Sequence, residues 1–459
     1  MMLELTMEEI GQALGYPCSG RGETVITGVA IDSRQVQKGD LFVAIAGEKV
    51  DGHQYIEQAL RSGAAGVALS AADFGSSLGD NAWLLVEDGV TFIQKLGRLI
   101  RQRSGVPVVA VTGSSGKTTT KDLLKAMLED LGPVVATQGN NNNELGLPLT
   151  LCRIESTTRA VVVEMGMRGL GQIDFLCQLA QPDYGLITNI GKVHSELLGS
   201  QENIAQAKAE LLAYIGPEGV AALNEKDRTF LESYAQSCAG KIVWCSVQSG
   251  QGDVWAEAIE ENTDGTIFTV AGSAMHQTLQ SRLQGLHNVE NALQALVIAR
   301  ALHVSWQGIE KALGQAQLTA MRMEKLKTQQ GAVIYNDAYN ANPDSMQAAL
   351  AVLAQQKGRR AAVLGDMYEL GQYEEESHRQ IGAAAMALGL ELLIAVGRLG
   401  NLIGQGAEAA AQAGQQVYYA EDNAQAAAIL QSWLKAGDQV LIKGSRGMKM
   451  EEIVEIIMR

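Results

Sequence analysis

The sequence predicts an α/β protein of parallel sheets divided into three domains. Three observations carry that prediction. The 459 residues allow about three domains at roughly 150 residues each. Short β-branched runs recur ahead of Ala/Leu-rich helical stretches, which is the pattern of βαβ units. The 50 glycines suit the turns of such units, which need residues tolerant of positive φ.

In chain order, MMLELTMEEIGQAL at 1–14 reads as an acidic amphipathic helix. DLFVAIAG at 40–47 reads as a strand and HQYIEQALRSG at 53–63 as a short helix. A boundary near residue 90 precedes the helix leading into Val106 and separates a domain at 1–90. Strands then fall at 106–113, 159–166, 184–191 and 219–224, and Ala/Leu-rich helices fill 288–317. A second boundary near 318 closes a central domain at 91–318. From Val333 the alternation restarts as a new sheet, with strands at 361–366, 391–397 and 439–444, giving a third domain at 319–459. No repeat of fixed period appears, and NNNN at 140–143 is too short for a low-complexity tract.

Composition narrows the function classes. Apolar residues at 46% supply packed cores, and 36 Lys plus Arg against 51 Asp plus Glu leave a net charge of −15. Nucleic acid and anionic membrane both need clustered cations, so neither is an expected partner. Anionic ligands would have to be compensated locally. The five cysteines (Cys18, Cys152, Cys177, Cys238, Cys245) include no CxxC pair, which argues for a reducing compartment rather than a disulfide or zinc scaffold. The first residues carry no basic leader, and the longest apolar stretch, 383–396, contains Glu391. A cytoplasmic protein is expected.

The strongest chemical signal is VVAVTGSSGKTTTKDLL at 108–124. A buried strand, a small-residue loop and an immediate helix aim backbone N–H groups at one spot, which suits phosphate. Lys117 would sit over the β- and γ-phosphates, and the Thr118 hydroxyl would meet Mg²⁺. The first glycine of the usual pattern is replaced by Val111, so this is a variant loop. Glu164 ends the strand AVVVE, where it either holds the metal or serves as a solvated strand-end carboxylate. His194 and Lys208, taken alone, read as ordinary packed or solvated residues.

With these residues the chain resembles the Mur ligases, ATP-dependent amide-forming enzymes of peptidoglycan assembly. The resemblance runs in order through IDSRQVQKGDLFVAIAGEKVDGHQYI (31–56), TGSSGKTTTK (112–121), TQGNNNNELGLPLT (137–150), VVEMGMRGLGQI (162–173), ITNIGKVHSELLGS (187–200), GLHNVENALQALVIA (285–299), MRMEKL (321–326), NDAYNANPDSM (336–346) and LIKGSRGMKME (441–451). It implies a small α/β N-terminal substrate domain that binds UDP-sugar, a central P-loop parallel-sheet ATPase domain and a C-terminal Rossmann-like domain. Gly113, Ser114, Ser115, Gly116, Lys117, Thr118 and Thr119 are then the ATP phosphate loop. Thr118, Glu164, His194 and Lys208 resemble ligands for Mg²⁺, two ions in all, with Lys208 carbamylated. Asn288 and Asn291 match adenine-side contacts, Arg322 and Asp337 match residues reaching back to the γ-phosphate and ribose, and Asn340, in the same loop as Asp337, is counted among the ATP contacts. Lys117, Lys208, His194 and Arg322 form the implied catalytic set. Asn140, Asn142, Asn143 and Glu144 match a loop beside the substrate's peptide end, and Ser33 and Arg34 match residues greeting the UDP-sugar. Plainer readings stay open: DSR at 32–34 as an Asx turn with a surface ion pair, and NNNNELG as a loop chosen for left-handed backbone. Asp366 and Glu369 read as caps of the next helix. KGSRG at 443–447 reads as a strand–turn–helix joint.

The implied reaction joins D-Ala-D-Ala to the peptide carboxylate of UDP-MurNAc-tripeptide through an acyl phosphate, in a monomeric enzyme. The competing readings are another amide ligase of the superfamily, a P-loop GTPase switch and a non-catalytic nucleotide-binding scaffold. The absence of an NKxD guanine motif in the expected context speaks against the switch.

Overall fold

The computed structural model describes residues 5–47, 50–75, 78–191, 195–262, 265–317 and 319–459. The expected helix at the N-terminus is preceded by a strand, Leu5–Thr6, which pairs with Val25–Ile26. The helix starts only at Met7 because Thr6 caps it. The Thr6 hydroxyl accepts Glu9 N–H, and the Glu9 carboxylate accepts Thr6 N–H.

The first sheet has the order Cys18–Ser19, Ala82–Leu85, Gly66–Leu69, Asp40–Val43, Gly28–Ala30, parallel except for its first pair. The strand expected at 40–47 is therefore shorter, and the helix expected at 53–63 divides into a 3₁₀ turn, Gly52–Tyr55, and the helix Ile56–Ser62.

A nine-stranded sheet follows. Its parallel part runs Lys241–Ser246, Val220–Asn224, Tyr184–Ile187, Val108–Thr112, Ala160–Glu164, Val134–Ala136. Val254–Asn262 extends it, with Gly265–Gly272 and Met275–Ser281 joined antiparallel. The sequence reading assigned no strand to this antiparallel extension. The strand Val108–Thr112 is buried at every residue because it lies inside the sheet with helices on both faces. A six-stranded sheet completes the chain in the order Glu324–Lys327, Val333–Asp337, Gln439–Lys443, Arg360–Gly365, Leu392–Val396, Gln416–Ala420. Only its first pair is antiparallel.

One apolar cluster runs from Met7, Leu41 and Leu84 of the first sheet, through Phe92, Leu96 and Ile100 of the helix Gly89–Ser104, to Leu147 and Val161 of the second. The third sheet has its own clusters, around Leu364 and Leu441 on one face and Ile394 and Ile442 on the other.

Candidate active site

The phosphate loop is shaped by glycine. Gly113 has φ 145°, and a Cβ there would lie 1.8 Å from Thr188 Oγ1. Gly116 has φ 79°, and its Cβ would meet Asn291 Oδ1 at 2.5 Å. Any side chain at either position would push the loop off its neighbours. The helix Lys117–Leu128 starts at Gly116 without a side-chain cap, so its first N–H groups are available to an anion. From the adjacent strand, Asn189 clamps the loop: its Oδ1 accepts Ser115 N–H at 2.9 Å and its Nδ2 donates to Ser115 Oγ at 2.7 Å. Lys117 folds its amine back to donate to Gly113 O at 2.8 Å. Burial in the cavity wall lowers its pKa, as does the Arg322 charge, against the opposing pull of Glu164.

Glu164 is buried at the end of the neighbouring strand, and it gathers donors. Thr118 Oγ1 donates to its Oε2 at 2.8 Å and Asn142 Nδ2 to its Oε1 at 2.9 Å. The solvated strand-end reading of Glu164 therefore gives way to a buried, doubly bonded carboxylate. None of the asparagines at 140–143 has positive φ, so that loop does not owe its composition to left-handed backbone. Its side chains act instead: Asn142 holds Glu164, and Asn143 Oδ1 accepts Gly146 N–H at 2.9 Å.

From the segment leading into the C-terminal sheet, Arg322 Nη2 donates to Thr118 Oγ1 at 2.8 Å, and its guanidinium lies 4.2 Å from the centre of the Tyr339 ring. Its Nε is buried without a hydrogen-bond partner among the described residues, as expected of a group aimed at an anionic ligand. Asp337 accepts Lys443 Nζ at 2.5 Å and Met323 N–H at 3.0 Å. His287 faces this pair. Burial pushes its imidazole down to about 4, against the pull of Asp337.

Ser114 to Thr119, Asn140, Asn142, Asn143, Glu144, Glu164, Asn288, Asn291, Arg322, Asp337 and Asn340 all line one cavity of about 1410 Å³ between the second and third sheets. Lys208 lies outside its lining, on the helix Gln201–Ala209 and only 1% exposed. Its amine is held well below its usual value, first by burial and then by the Lys117 charge. Ser33 and Arg34 belong to the first sheet's domain and do not line this cavity. Arg34 N–H and its guanidinium bind Asp32 in an Asx turn with a surface ion pair, which holds the Asp32 carboxyl down at about 2. His194 lies outside the described residues, as does Leu318 at the expected second boundary.

Asn189, Arg168 and Tyr368 line the cavity and had no role in the sequence reading, whereas Lys443 and Arg446 line it from the segment read as a strand–turn–helix joint. The small polar pair ending YGLITN was the available signal for Asn189. The joint at 443–447 has the expected shape, and Ser445 Oγ accepts Tyr368 N–H at 2.9 Å. Asp366 caps a different helix from the one expected. Its Oδ1 accepts Gly400 N–H at 2.7 Å, because the strands Arg360–Gly365 and Leu392–Val396 are neighbours. Glu369, expected to share that cap, instead faces Arg168 at 3.7 Å.

A variant phosphate loop at the end of a parallel strand, a carboxylate on the next strand and an arginine from a third domain define a three-domain α/β nucleotide-site protein. The chain belongs to the Mur ligase family. The model of the Mur ligase family catalytic domain matches residues 25–94, that of the middle domain 111–299 and that of the glutamate ligase domain 321–446. The chain is 38% identical over 435 residues to the UDP-N-acetylmuramoyl-tripeptide–D-alanyl-D-alanine ligase of Bacillus subtilis, covering 94% of this chain and 93% of that one. A crystal structure of MurF from Acinetobacter baumannii superposes with a TM-score of 0.86 at 31% identity over the whole of both chains. MurF from Thermotoga maritima, solved in complex with ADP, gives 0.79 at 27% identity over 94% of this chain and 96% of that one.

Proposed function

We propose that this protein is the ATP-dependent ligase that joins D-Ala-D-Ala to the peptide carboxylate of UDP-MurNAc-tripeptide, giving UDP-MurNAc-pentapeptide for peptidoglycan synthesis. The observation that carries the reading is Arg322, brought from the segment entering the third sheet onto Thr118 of the phosphate loop, in a cavity also lined by residues of the 140–144 loop. The Bacillus subtilis relative, named for that reaction, and the ADP-bound neighbour support it.

The chemistry accounts for these groups. A carboxylate is a poor acyl donor, so its oxygen first attacks the γ-phosphorus of ATP. The bond from that phosphorus to the β–γ bridging oxygen breaks, and ADP leaves. The amine of D-Ala-D-Ala then attacks the acyl carbon of the resulting acyl phosphate and loses a proton. The bond from that carbon to the phosphate oxygen breaks, and inorganic phosphate departs. Bringing a carboxylate to a triphosphate sets like charges together, and Lys117 and Arg322 offset them in place. This local compensation is how a chain of net charge −15 serves anionic substrates. Closure of the cavity between two domains keeps water from the acyl phosphate.

The Thr118 hydroxyl and Glu164 carboxylate, bonded at 2.8 Å beside the phosphate loop, are the oxygen donors a hard divalent cation prefers. They would hold Mg²⁺, which supplies charge neutralisation on the phosphates. A second Mg²⁺ is proposed near His194 and Lys208. The depressed amine of Lys208 fits its conversion by CO₂ to a carbamate, since only neutral amine reacts. Asn288 and Asn291 are proposed for the adenine side, Asp337 and Asn340 for the ribose and γ-phosphate side, and Ser33 and Arg34 for the UDP-sugar. The proposed domains are 1–90, 91–318 and 319–459, in a monomeric cytoplasmic enzyme.

The test is ADP release from ATP with UDP-MurNAc-tripeptide. Release that depends on D-Ala-D-Ala, and that glutamate or diaminopimelate fails to elicit, is expected. Equal release with any of these acceptors overturns the reading.

A further inference from the structure

We propose that Asp122 is a positioning residue for the ligase reaction, anchoring the segment that carries Arg322 to the helix that carries the phosphate loop. The inference rests on the function proposed above. Asp122 lies outside the lining of the cavity, on the helix Lys117–Leu128, one turn beyond Thr118. Its Oδ2 accepts both the backbone N–H of Thr319, at 3.2 Å, and the Thr319 hydroxyl, at 2.7 Å. Its Oδ1 pairs with Lys121 Nζ at 2.8 Å, and both side chains are largely buried. Lys121 in turn donates to Thr137 O at 3.0 Å, and the Thr137 hydroxyl accepts Glu164 N–H at 2.9 Å. One carboxylate thereby ties the helix behind the phosphate loop both to the strand end that carries Glu164 and to the crossing into the C-terminal sheet.

That crossing needs an anchor because its backbone is unfavourable. Met321, at φ 62°, and Met323, at φ 50°, flank Arg322 in the left-handed region, where a side chain is disfavoured. Such a conformation persists only where its surroundings over-determine it. On the C-terminal side the restraints are plain: Glu324 Oε2 accepts Met321 N–H at 3.1 Å, Asp337 Oδ1 accepts Met323 N–H at 3.0 Å, and Tyr339 N–H donates to Met321 O at 3.2 Å. On the central side, Asp122 fixes Thr319, two residues before the first strained methionine. The paired left-handed turns aim Arg322 at Thr118, and Asp122 keeps that aim in register with the phosphate loop. A shift of about 1 Å between reacting groups costs rate steeply.

The experiment compares Asp122→Ala, Thr319→Val and Thr319→Ser, each also in an Arg322→Lys background. Asp122→Ala and Thr319→Val should lower kcat about 10–100-fold, while Thr319→Ser, which keeps the hydroxyl, stays near wild type. The phosphate loop itself is intact in all three, so ADP affinity should change little. Because Asp122 works through Arg322, Asp122→Ala should cost little further activity in the Arg322→Lys background. Thr319→Val replaces Asp122→Ala if the latter fails to fold. Full kcat in either folded variant, or additive losses in the double variant, overturns the proposal. Hydrogen exchange of the amides at 319–324 is read on the same samples and needs no acceptor. Faster exchange there in Asp122→Ala supports the anchor even if the wild-type enzyme uses another acceptor, and unchanged exchange overturns it.

Discussion

Lys117 and Lys208 are both lysines whose amines burial disfavours as cations, yet their surroundings direct them to different ends. Lys117 reaches the loop carbonyl at Gly113, so a bound triphosphate can take its amine without a change of backbone. Lys117→Ala should therefore keep the fold and lose about 3–4 kcal/mol of transition-state stabilisation, a fall in kcat of about 10²–10³. Steady-state rates with an unchanged melting curve check this, and near-normal turnover contradicts it. Lys208, 1% exposed, has its amine held well below its usual value by burial, and the carbamate proposed for it draws on that. Enzyme depleted of CO₂ should be slowed and should recover with bicarbonate, with a ¹³C carbamate resonance appearing under ¹³CO₂. Lys208→Ala should be slow at any bicarbonate concentration. A rate indifferent to CO₂ rules the carbamate out.

Among the elements, the helices Glu374–Ala387 and Gly400–Ala410 cross so closely that glycine decides the contact. A Cβ on Gly382 would lie 1.8 Å from Ile403 O, and one on Gly406 would lie 2.0 Å from Arg379 O. Gly382→Ala must push the helices apart and should cost about 1–3 kcal/mol by denaturant unfolding. Loss of less than a few tenths would mean the pair accommodates the methyl freely. The loop after Tyr184–Ile187 depends on Asp227, whose carboxylate accepts Ile190 N–H at 3.0 Å. Burial raises the pKa of this group from 3.8 to about 7. The native protein therefore keeps a proton that the unfolded chain releases as pH rises past 4. The stability this proton contributes is complete below pH 4 and is lost as pH rises through 7. Asp227→Asn keeps an acceptor for Ile190 without the charge. It should match wild type at pH 4 and exceed it at pH 8 by up to about 4 kcal/mol. Equal unfolding midpoints for the two proteins at pH 8 would contradict this.

At the scale of the whole molecule, the three sheets are joined unequally. The first two share a continuous apolar cluster through Phe92, Leu96 and Ile100. The third meets the second through polar contacts: Arg322 on Thr118, Thr319 on Asp122, Lys325 on Gln284 at 3.0 Å and Gln372 on the Gly199 carbonyl at 3.2 Å. Apolar area resists opening, whereas polar contacts can be replaced by bonds to water. Label-to-label distances should follow that difference. In Arg322→Ala, or in salt near 1 M where the Debye length is about 3 Å, the distance from the second sheet to the third should lengthen and that from the first to the second should stay. Equal lengthening of both would contradict the shared core.

The amino-acid order alone determined the parts of this protein whose causes are local. Strand, glycine loop, Lys117, Thr118 and helix are contiguous at 108–124, so periodicity and the need for positive φ mark them without knowledge of any distant residue. The alternation that marks the strands at 184–191 and 439–444 is local in the same way. Resemblance to a family added Arg322, Asp337 and the 140–144 loop as motifs, but not the atoms they touch. Tertiary structure decided what depends on which strands lie side by side. Val108–Thr112 lies between Tyr184–Ile187 and Ala160–Glu164, and only that order brings Asn189 and Glu164 to the same loop. The bonds of Asn142 to Glu164 and of Asp122 to Thr319 join residues 22 and 197 apart. The antiparallel extension at 254–281 was missed for a related reason. Val254–Asn262 takes its place by pairing with Lys241–Ser246 and the next two strands by pairing outward from it, and a pairing partner is a property of the folded sheet rather than of the segment.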